Sequence, residues 1–329
     1  MHFEGEFWHT TLLISSNGGS MIQAIRSFDV AVVGHFSIDS ILLPSRRLPF
    51  VVLGGSVAYV TLAAKCLGST VSVISKVGGD FPKAYLWWLR QEGADLSGVV
   101  KVESAQTTCF ELEYSSDLSN RSLRLKNRAP CINVDDLPES LKAKAIHIGP
   151  IAGEITSEVA EKLRNCAEVL SLDPQGLVRN FGENGNVTHG SLTDKHILEL
   201  VNIYKSSSDE IKAVTGLSDL NSAIKAVHDC GVKTVIVTLG LKGAVLSIEE
   251  TAYSIPAHKP EKVVDPTGAG DVFIGGFLAE YTRGEDSLWC ACVGSAAASL
   301  VVEAFGPTFL GDKAEIYRRA RLLYEKEIK

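Results

Sequence analysis

Asp265-Pro266-Thr267-Gly268-Ala269-Gly270-Asp271, followed by the apolar run Val272 to Leu278, decides how the rest of the chain is read. The β-branched Val263 and Val264 before it predict a short strand, the small residues a tight turn, and the segment from Gly270 onward a helix. Glycines at the mouth of such a helix leave backbone N–H groups bare, so that an anion can approach them closely. Asp271 then stands in the first turn, a carboxylate beside an anion cradle. A plain capped helix start uses the same residues: Asp265 or Thr267 caps, Asp271 complements the macrodipole, and the glycines permit the turn. What lifts the heptad above that is its whole pattern, two acids flanking a threonine and small residues directly before Phe273, Gly275 and Gly276.

The 329 residues are 45% hydrophobic and 22% charged, the composition of a globular protein that buries a large core. A formal net charge of -7 and the lack of a basic stripe argue against a nucleic-acid partner. The 7 cysteines are scattered, with no C-x-x-C pair and no zinc-spaced cluster, and read as small core residues in a reducing, cytoplasmic compartment. No apolar run reaches the length of a membrane span, and residues 1–20 lack a basic segment followed by a clean apolar one, so neither a membrane partner nor a signal peptide is expected. Residues 1–27 read as an N-terminal extension and 28–329 as a single domain.

Alternation of β-rich runs with amphipathic segments predicts a doubly wound, mostly parallel sheet flanked by helices. Strands are expected at Val30 to Gly34, Val71 to Ser75, Ala145 to Ile148, Val169 to Leu172, Leu200 to Tyr204 and Thr234 to Thr238. Helices are expected at Val57 to Leu67, Phe81 to Gln91, Ser157 to Asn165, 209–215 and 219–229, with a mostly helical C-terminal part. Two stretches break the rhythm, about 37–52 and 107–127, where short alternating runs and a polar turn at Ser115 to Asn120 predict a small antiparallel β lid. The free strand edge of such a lid would offer a homodimer contact.

The heptad resembles the C-terminal signature of the ribokinase-like (pfkB) family of sugar and nucleoside kinases, and the resemblance runs from about residue 28 to 326. It implies ATP-dependent phosphorylation of a hydroxyl on a small polyol, sugar or nucleoside. Asp271 would be the base, and the amides of Gly268, Ala269 and Gly270 the anion hole. Mg²⁺ and, in some members, a monovalent cation accompany the nucleotide. On the alcohol side, Asp39 matches the family's substrate aspartate and Gly54-Gly55 its N-terminal glycine pair. Tyr59 stands where many members carry a hydroxyl-binding asparagine.

On the nucleotide side, Thr238-Leu239-Gly240-Leu241-Lys242-Gly243 resembles the family's phosphate loop. It offers Thr238, Gly240, Lys242 and Gly243, joined by Thr267 from the heptad and by Gly306 in Phe305-Gly306-Pro307 at the adenine edge. Ser207 and Glu210 occupy the family's N-x-x-E motif, Glu210 keeping the acid that organises the metal through water. A capped helix start at Ser207 accounts for the same residues. Leu172-Asp173-Pro174-Gln175-Gly176-Leu177-Val178-Arg179 and Gly149 to Glu154 resemble the inositol-kinase branch, which makes myo-inositol or a related carbohydrate the expected substrate. Read as plain residues, Asp173 is a strand-end acid and Arg179 a surface salt-bridge residue. A nucleoside or sugar acid, or a catalytically silent sugar-binding protein, are the alternatives.

Overall fold

The computed structural model describes residues 27–116, 120–308 and 310–327. The chain opens with β1 (Ser27–Val33), β2 (Ser37–Leu42), β3 (Phe50–Gly54), α1 (Ser56–Cys66), β4 (Val71–Gly78), α2 (Lys83–Gln91) and β5 (Asp95–Val102). Next come β6 (Thr108–Tyr114), β7 (Arg121–Asn127), β8 (Lys142–Ile148), α3 (Ser157–Arg164), β9 (Ala167–Leu172), β10 (Arg179–Phe181), β11 (Val187–His189) and α4 (His196–Glu199). The remainder holds β12 (Ile203–Ser207), α5 (Ser208–Thr215), α6 (Leu220–His228), β13 (Thr234–Thr238), β14 (Ala244–Ile248), β15 (Thr251–Ile255), α7 (Ala269–Tyr281), α8 (Ser287–Val301) and α9 (Lys313–Glu327).

A 9-stranded sheet runs in the order β15-β14-β13-β12-β9-β8-β1-β4-β5. It is parallel from β13 to β5 and antiparallel where β14 and β15 extend it. Val30 and Val32 enter one core with α1, α7, α8 and α9, whereas Ala31 and Val33 enter the other with α3, α5 and α6. A strand covered on both faces must be apolar at successive positions, as this run is. From β1 the chain winds outward through β4 to β5, then returns to β8 on the other side and continues to β9, β12 and β13. That reversal opens a crevice beyond the carboxyl ends of β1 and β8, where ligands of doubly wound sheets bind.

A separate 4-stranded sheet, ordered β3-β2-β6-β7, forms the lid. Its outer pairs are antiparallel, while β2 and β6 at its centre run parallel with Asp39 opposite Phe110. Period-two alternation puts Ser37, Asp39 and Ile41, with Thr108, Phe110, Leu112 and Tyr114, on the buried face. At the outer edge of β7, Leu125 N–H donates to Gly185 O at 2.8 Å and Arg124 bridges to Asn186. The loop between β10 and β11 therefore covers part of the edge on which a lid-to-lid contact would rest.

Several expectations shift. Val263 and Val264 form no strand; Val264 N–H bonds Val302 O at 2.7 Å, just past the end of α8. Two β-branched residues so close to Pro260 and Pro266 are too few to make a ladder. The strand expected from Leu200 starts at Ile203, because α4 runs to Glu199 and the chain turns through 200–202 before the strand. β5, β14 and β15 had no counterpart in the sequence reading. The expected extension lies outside the described residues except for Ser27, and of the lid turn Ser115 and Asn120 are tied by a 2.9 Å backbone bond. Among the described residues no helix is long and apolar enough to cross a membrane.

Candidate active site

The heptad folds around its first acid. Asp265 Oδ1 accepts from Thr267 N at 3.0 Å and from Thr267 Oγ1 at 2.6 Å, and Oδ2 accepts from Gly306 N at 3.4 Å. Tyr114 OH lies 2.8 Å from Thr267 Oγ1, and Arg121 donates to Tyr114 OH at 3.1 Å, so a chain of hydrogen bonds joins the lid to the heptad. Gly268 turns the backbone at φ 77°, a left-handed value, and α7 starts at the next residue. A methyl group at 268 would fall 2.3 Å from ring atoms of Tyr59, so the turn lies flat against that ring.

Asp271 is thereby held in the first turn of α7, and its Oδ1 is buried without a hydrogen-bond partner among the described residues. Burial pushes its carboxyl up to about 6, with Asp173 and Glu210 adding to the rise and Lys205 opposing it. Lys205 Nζ bonds Asp173 Oδ2 at 2.5 Å, and a methyl at Gly270 would fall 2.6 Å from the same nitrogen. The sequence reading assigned no role to Lys205. Its signal was a lysine at the end of an apolar strand facing an acid at the end of another. In the first turn, the amides of Gly270 and Asp271 have no preceding turn to donate to, while Ala269 N makes a long 3.4 Å contact with Pro266 O.

A pocket of about 60 Å³ opens on Asp271 from the lid side. Ser37 beside Asp39, Ser56 beside Asp271, and Tyr59 all line it, and Ser37 Oγ, Asp39 Oδ1, Ser56 Oγ, Tyr59 OH and Asp271 Oδ1 are buried without a hydrogen bond of ordinary geometry among the described residues. Buried polar atoms are nearly always hydrogen-bonded in a native fold, so such a cluster around one cavity marks the place of a polar ligand. Burial pushes the Asp39 carboxyl up to about 6 against the pull of the Ser37 hydroxyl first and then of Arg121 and Arg179. Gly55 lines the pocket, and Gly54 lets Asp39 close in, since a methyl at 54 would fall 2.0 Å from Asp39 Oδ2. Arg121 and Arg179 complete the wall. Arg179, read from sequence as a surface residue, thus points into the site; Arg121 gave no sequence signal, standing in a polar run just after the lid turn.

A second cavity, of about 550 Å³, lies on the other side of the heptad. Thr238, Gly240, Lys242 and Gly243 line it with Leu239, Ala257, Phe273 and Val302. Pro266, Ala269 and Gly270 face this cavity, while Gly268 and Asp271 face the polar pocket, so the heptad is the wall between the two. Two residues expected on the nucleotide side sit elsewhere. Thr267 lines the polar pocket with its hydroxyl committed to Asp265 and Tyr114, and Gly306 spends its N–H on Asp265 beside Val52.

Glu210 forms a reciprocal cap with Ser207: Ser207 N donates to Glu210 Oε2 at 2.7 Å and Glu210 N to Ser207 Oγ at 3.3 Å. It lines neither cavity, and among the described residues no group of three or more His, Cys, Asp or Glu is arranged to hold a metal. His147, at the end of β8, is half satisfied: Nδ1 meets Ser171 Oγ at 3.0 Å and Nε2 has no partner among the described residues. His35 is a braced structural residue, its ring bonded to Pro130 O and Thr108 Oγ1.

Residues 28–313 match the pfkB family carbohydrate kinase profile. A cytidine kinase of Thermococcus kodakarensis is 32% identical over 281 residues, 84% of this chain and 97% of that protein. An inositol 3-kinase of Oryza sativa subsp. japonica is 29% identical over 328 residues, 95% of this chain and 77% of that one. Among solved structures, a pyrophosphate-dependent kinase of the ribokinase family, complexed with a pyrophosphate analog and myo-inositol, superposes with a TM-score of 0.75. Its identity is 23%, with 88% of this chain and 99% of that chain covered.

Proposed function

The chain belongs to the pfkB family of carbohydrate kinases, and from that premise we propose that it transfers the γ-phosphoryl group of ATP to a hydroxyl of a compact sugar- or polyol-like substrate. The observation that carries this reading is the cluster of unpartnered polar atoms around Asp271, separated by the heptad alone from a much larger cavity. Asp39 grips neighbouring hydroxyls of the substrate, and Gly54-Gly55 let it approach the backbone. Asp271 accepts the proton of the attacking hydroxyl, ionised above its raised pKa of about 6. The amides of Gly268, Ala269 and Gly270 meet the charge that develops on the transferred group, helped by the positive end of α7. Such chemistry requires positioning and charge neutralisation more than covalent help.

The apolar lining of the larger cavity supports a nucleotide as donor, because a bare pyrophosphate has no apolar surface to bury there. Mg²⁺, when bound, supplies charge neutralisation to the phosphates. Glu210, which lines neither cavity and whose Oε2 caps α5, would reach such a metal only through water. The free thiols of all 7 cysteines support a cytoplasmic setting. The small volume of the polar pocket favours a single hydroxylated ring, in line with the inositol-kinase resemblance. A nucleoside is the second reading, favoured by the 32% identity to the cytidine kinase. The test is ADP release across inositols, sugars, sugar acids and nucleosides with ATP and Mg²⁺, repeated with pyrophosphate as donor. Turnover with ATP supports the reading, and silence with every acceptor and donor contradicts it.

A further inference from the structure

The turn that opens α7 is loose by composition: Gly268 takes a left-handed φ of 77°, and Gly270 follows two residues later. Glycine leaves the backbone free, whereas amides that meet a developing charge must be held in place beforehand. What fixes the turn therefore comes from its neighbours.

A row of hydrogen bonds enters it from the lid. Tyr114 ends β6 and Arg121 opens β7, and the two stand opposite each other in the lid sheet. Arg121 donates to Tyr114 OH at 3.1 Å, Tyr114 OH lies 2.8 Å from Thr267 Oγ1, and Thr267 Oγ1 donates to Asp265 Oδ1 at 2.6 Å. Proton counting gives every bond a direction. A guanidinium only donates, a carboxylate only accepts, and each hydroxyl has one proton. Thr267 gives its proton to Asp265, so the proton between the two hydroxyls belongs to Tyr114. The Tyr114 oxygen is then left to accept from Arg121. The row runs from a cation to an anion with no bond reversed, the arrangement in which neighbouring hydrogen bonds strengthen one another.

Tyr114 and Thr267 are each 8% exposed, so water competes little for these bonds. Asp265, 1% exposed, also accepts from Thr267 N at 3.0 Å and Gly306 N at 3.4 Å, which gathers the lid, the turn and the loop after α8 on one carboxylate. Tyr114 itself lines neither cavity, so whatever it contributes passes through Thr267, the residue directly before Gly268.

Resting on the kinase reading of this site, we propose that Tyr114 is a positioning residue: the row from Arg121 through Tyr114 and Thr267 to Asp265 braces the Gly268 turn from the lid and aims the amides of Gly268, Ala269 and Gly270 at the transferred group.

Two measurements on the full chain test this without an acceptor: amide hydrogen exchange, and calorimetric binding of ADP with Mg²⁺, alone and with aluminium fluoride as a mimic of the transferring group. In Tyr114→Phe and Thr267→Val the amides from Gly268 to Asp271 are expected to exchange about 10-fold faster than in the parent, while binding of ADP alone holds. The margin by which aluminium fluoride tightens ADP binding falls about 3- to 10-fold in both, the scale of one buried hydrogen bond. Thr267→Ser keeps the hydroxyl and is expected to keep the slow exchange and the margin; should Thr267→Val not fold, Tyr114→Phe and Thr267→Ser give the comparison. Unchanged exchange in Tyr114→Phe would mean that Asp265 holds the turn without the lid, and overturns the inference. Faster exchange with the margin intact, or an equal loss for ADP with and without aluminium fluoride, overturns it as well, since either leaves Tyr114 a merely structural role. If the parent shows no margin at all, it is the kinase reading that falls, and exchange still reports on the brace.

Discussion

Lys205 Nζ lies 2.5 Å from Asp173 Oδ2, both side chains buried, Lys205 on β12 and Asp173 just past the end of the neighbouring β9. Burial alone would drive the ammonium toward neutrality, but Asp173, Asp271 and Glu210 outweigh it and hold its pKa above the ordinary lysine value. The pair leaves one net carboxylate, Asp271, at the wall between the two cavities.

Lys205→Met strands Asp173 as an uncompensated buried charge, at a cost of about 3–5 kcal/mol read by denaturant unfolding. It also removes the cation that lowers the Asp271 pKa, so the acid limb of kcat moves above pH 6. The double variant Lys205→Met, Asp173→Asn recovers most of the stability. A single variant as stable as the parent would show that the pair carries no such role.

The acid limb has a definite sign. Asp271 and Asp39 both have pKa values raised from 3.8 to about 6, and each works as a carboxylate, so activity falls as pH drops through about 6. Stability moves the other way. The folded state binds the proton more tightly than the unfolded chain, so the Asp271 contribution to stability declines as pH rises from about 4 to about 6 and stays low above it. Asp271→Asn is therefore expected to raise the melting temperature at pH 8, with the gain vanishing by pH 4. An equal shift at both values would mean that the carboxyl is not strained by burial.

Much of this was legible because the sequence and the physics repeat each other. Val30 to Val33 and Val235 to Val237 are apolar at successive positions, as strands covered on both faces must be, and the heptad's glycines announce the turn before α7. The hairpin of β14 and β15 was hidden because its two turn residues, Glu249 and Glu250, adopt positive φ of 47° and 69° without the glycine or asparagine that usually signals such a turn. Asp271 stood out as an acid next to glycines, and Asp39 through its match to the family's substrate aspartate. Arg121, Arg179 and Lys205 did not, since a cation at a strand end looks the same in sequence whether it meets solvent or a pocket. Thr267, expected with the nucleotide residues, lines the polar pocket instead, because sequence order says nothing of which face of a turn a hydroxyl takes.

Gly268→Ala must accommodate a left-handed φ of 77° and a methyl 2.3 Å from the Tyr59 ring. Overpacking of this kind costs about 1–3 kcal/mol, and the displaced ring disturbs the polar pocket that it lines. Loss of stability together with loss of kcat is expected, measured by thermal unfolding and initial rates. Adding Tyr59→Ala relieves the clash, so the double variant should lose less stability than the two single variants summed; unchanged stability in Gly268→Ala would contradict the packing described.

On the proposed reading Asp271 is the base between an alcohol pocket and a nucleotide cavity. The most direct measurement is single-turnover phosphoryl transfer from ATP by Asp271→Asn, alongside its ATP affinity. The rate is expected to fall by about 10²- to 10⁴-fold with ATP binding unchanged, and a near-normal rate would contradict the assignment.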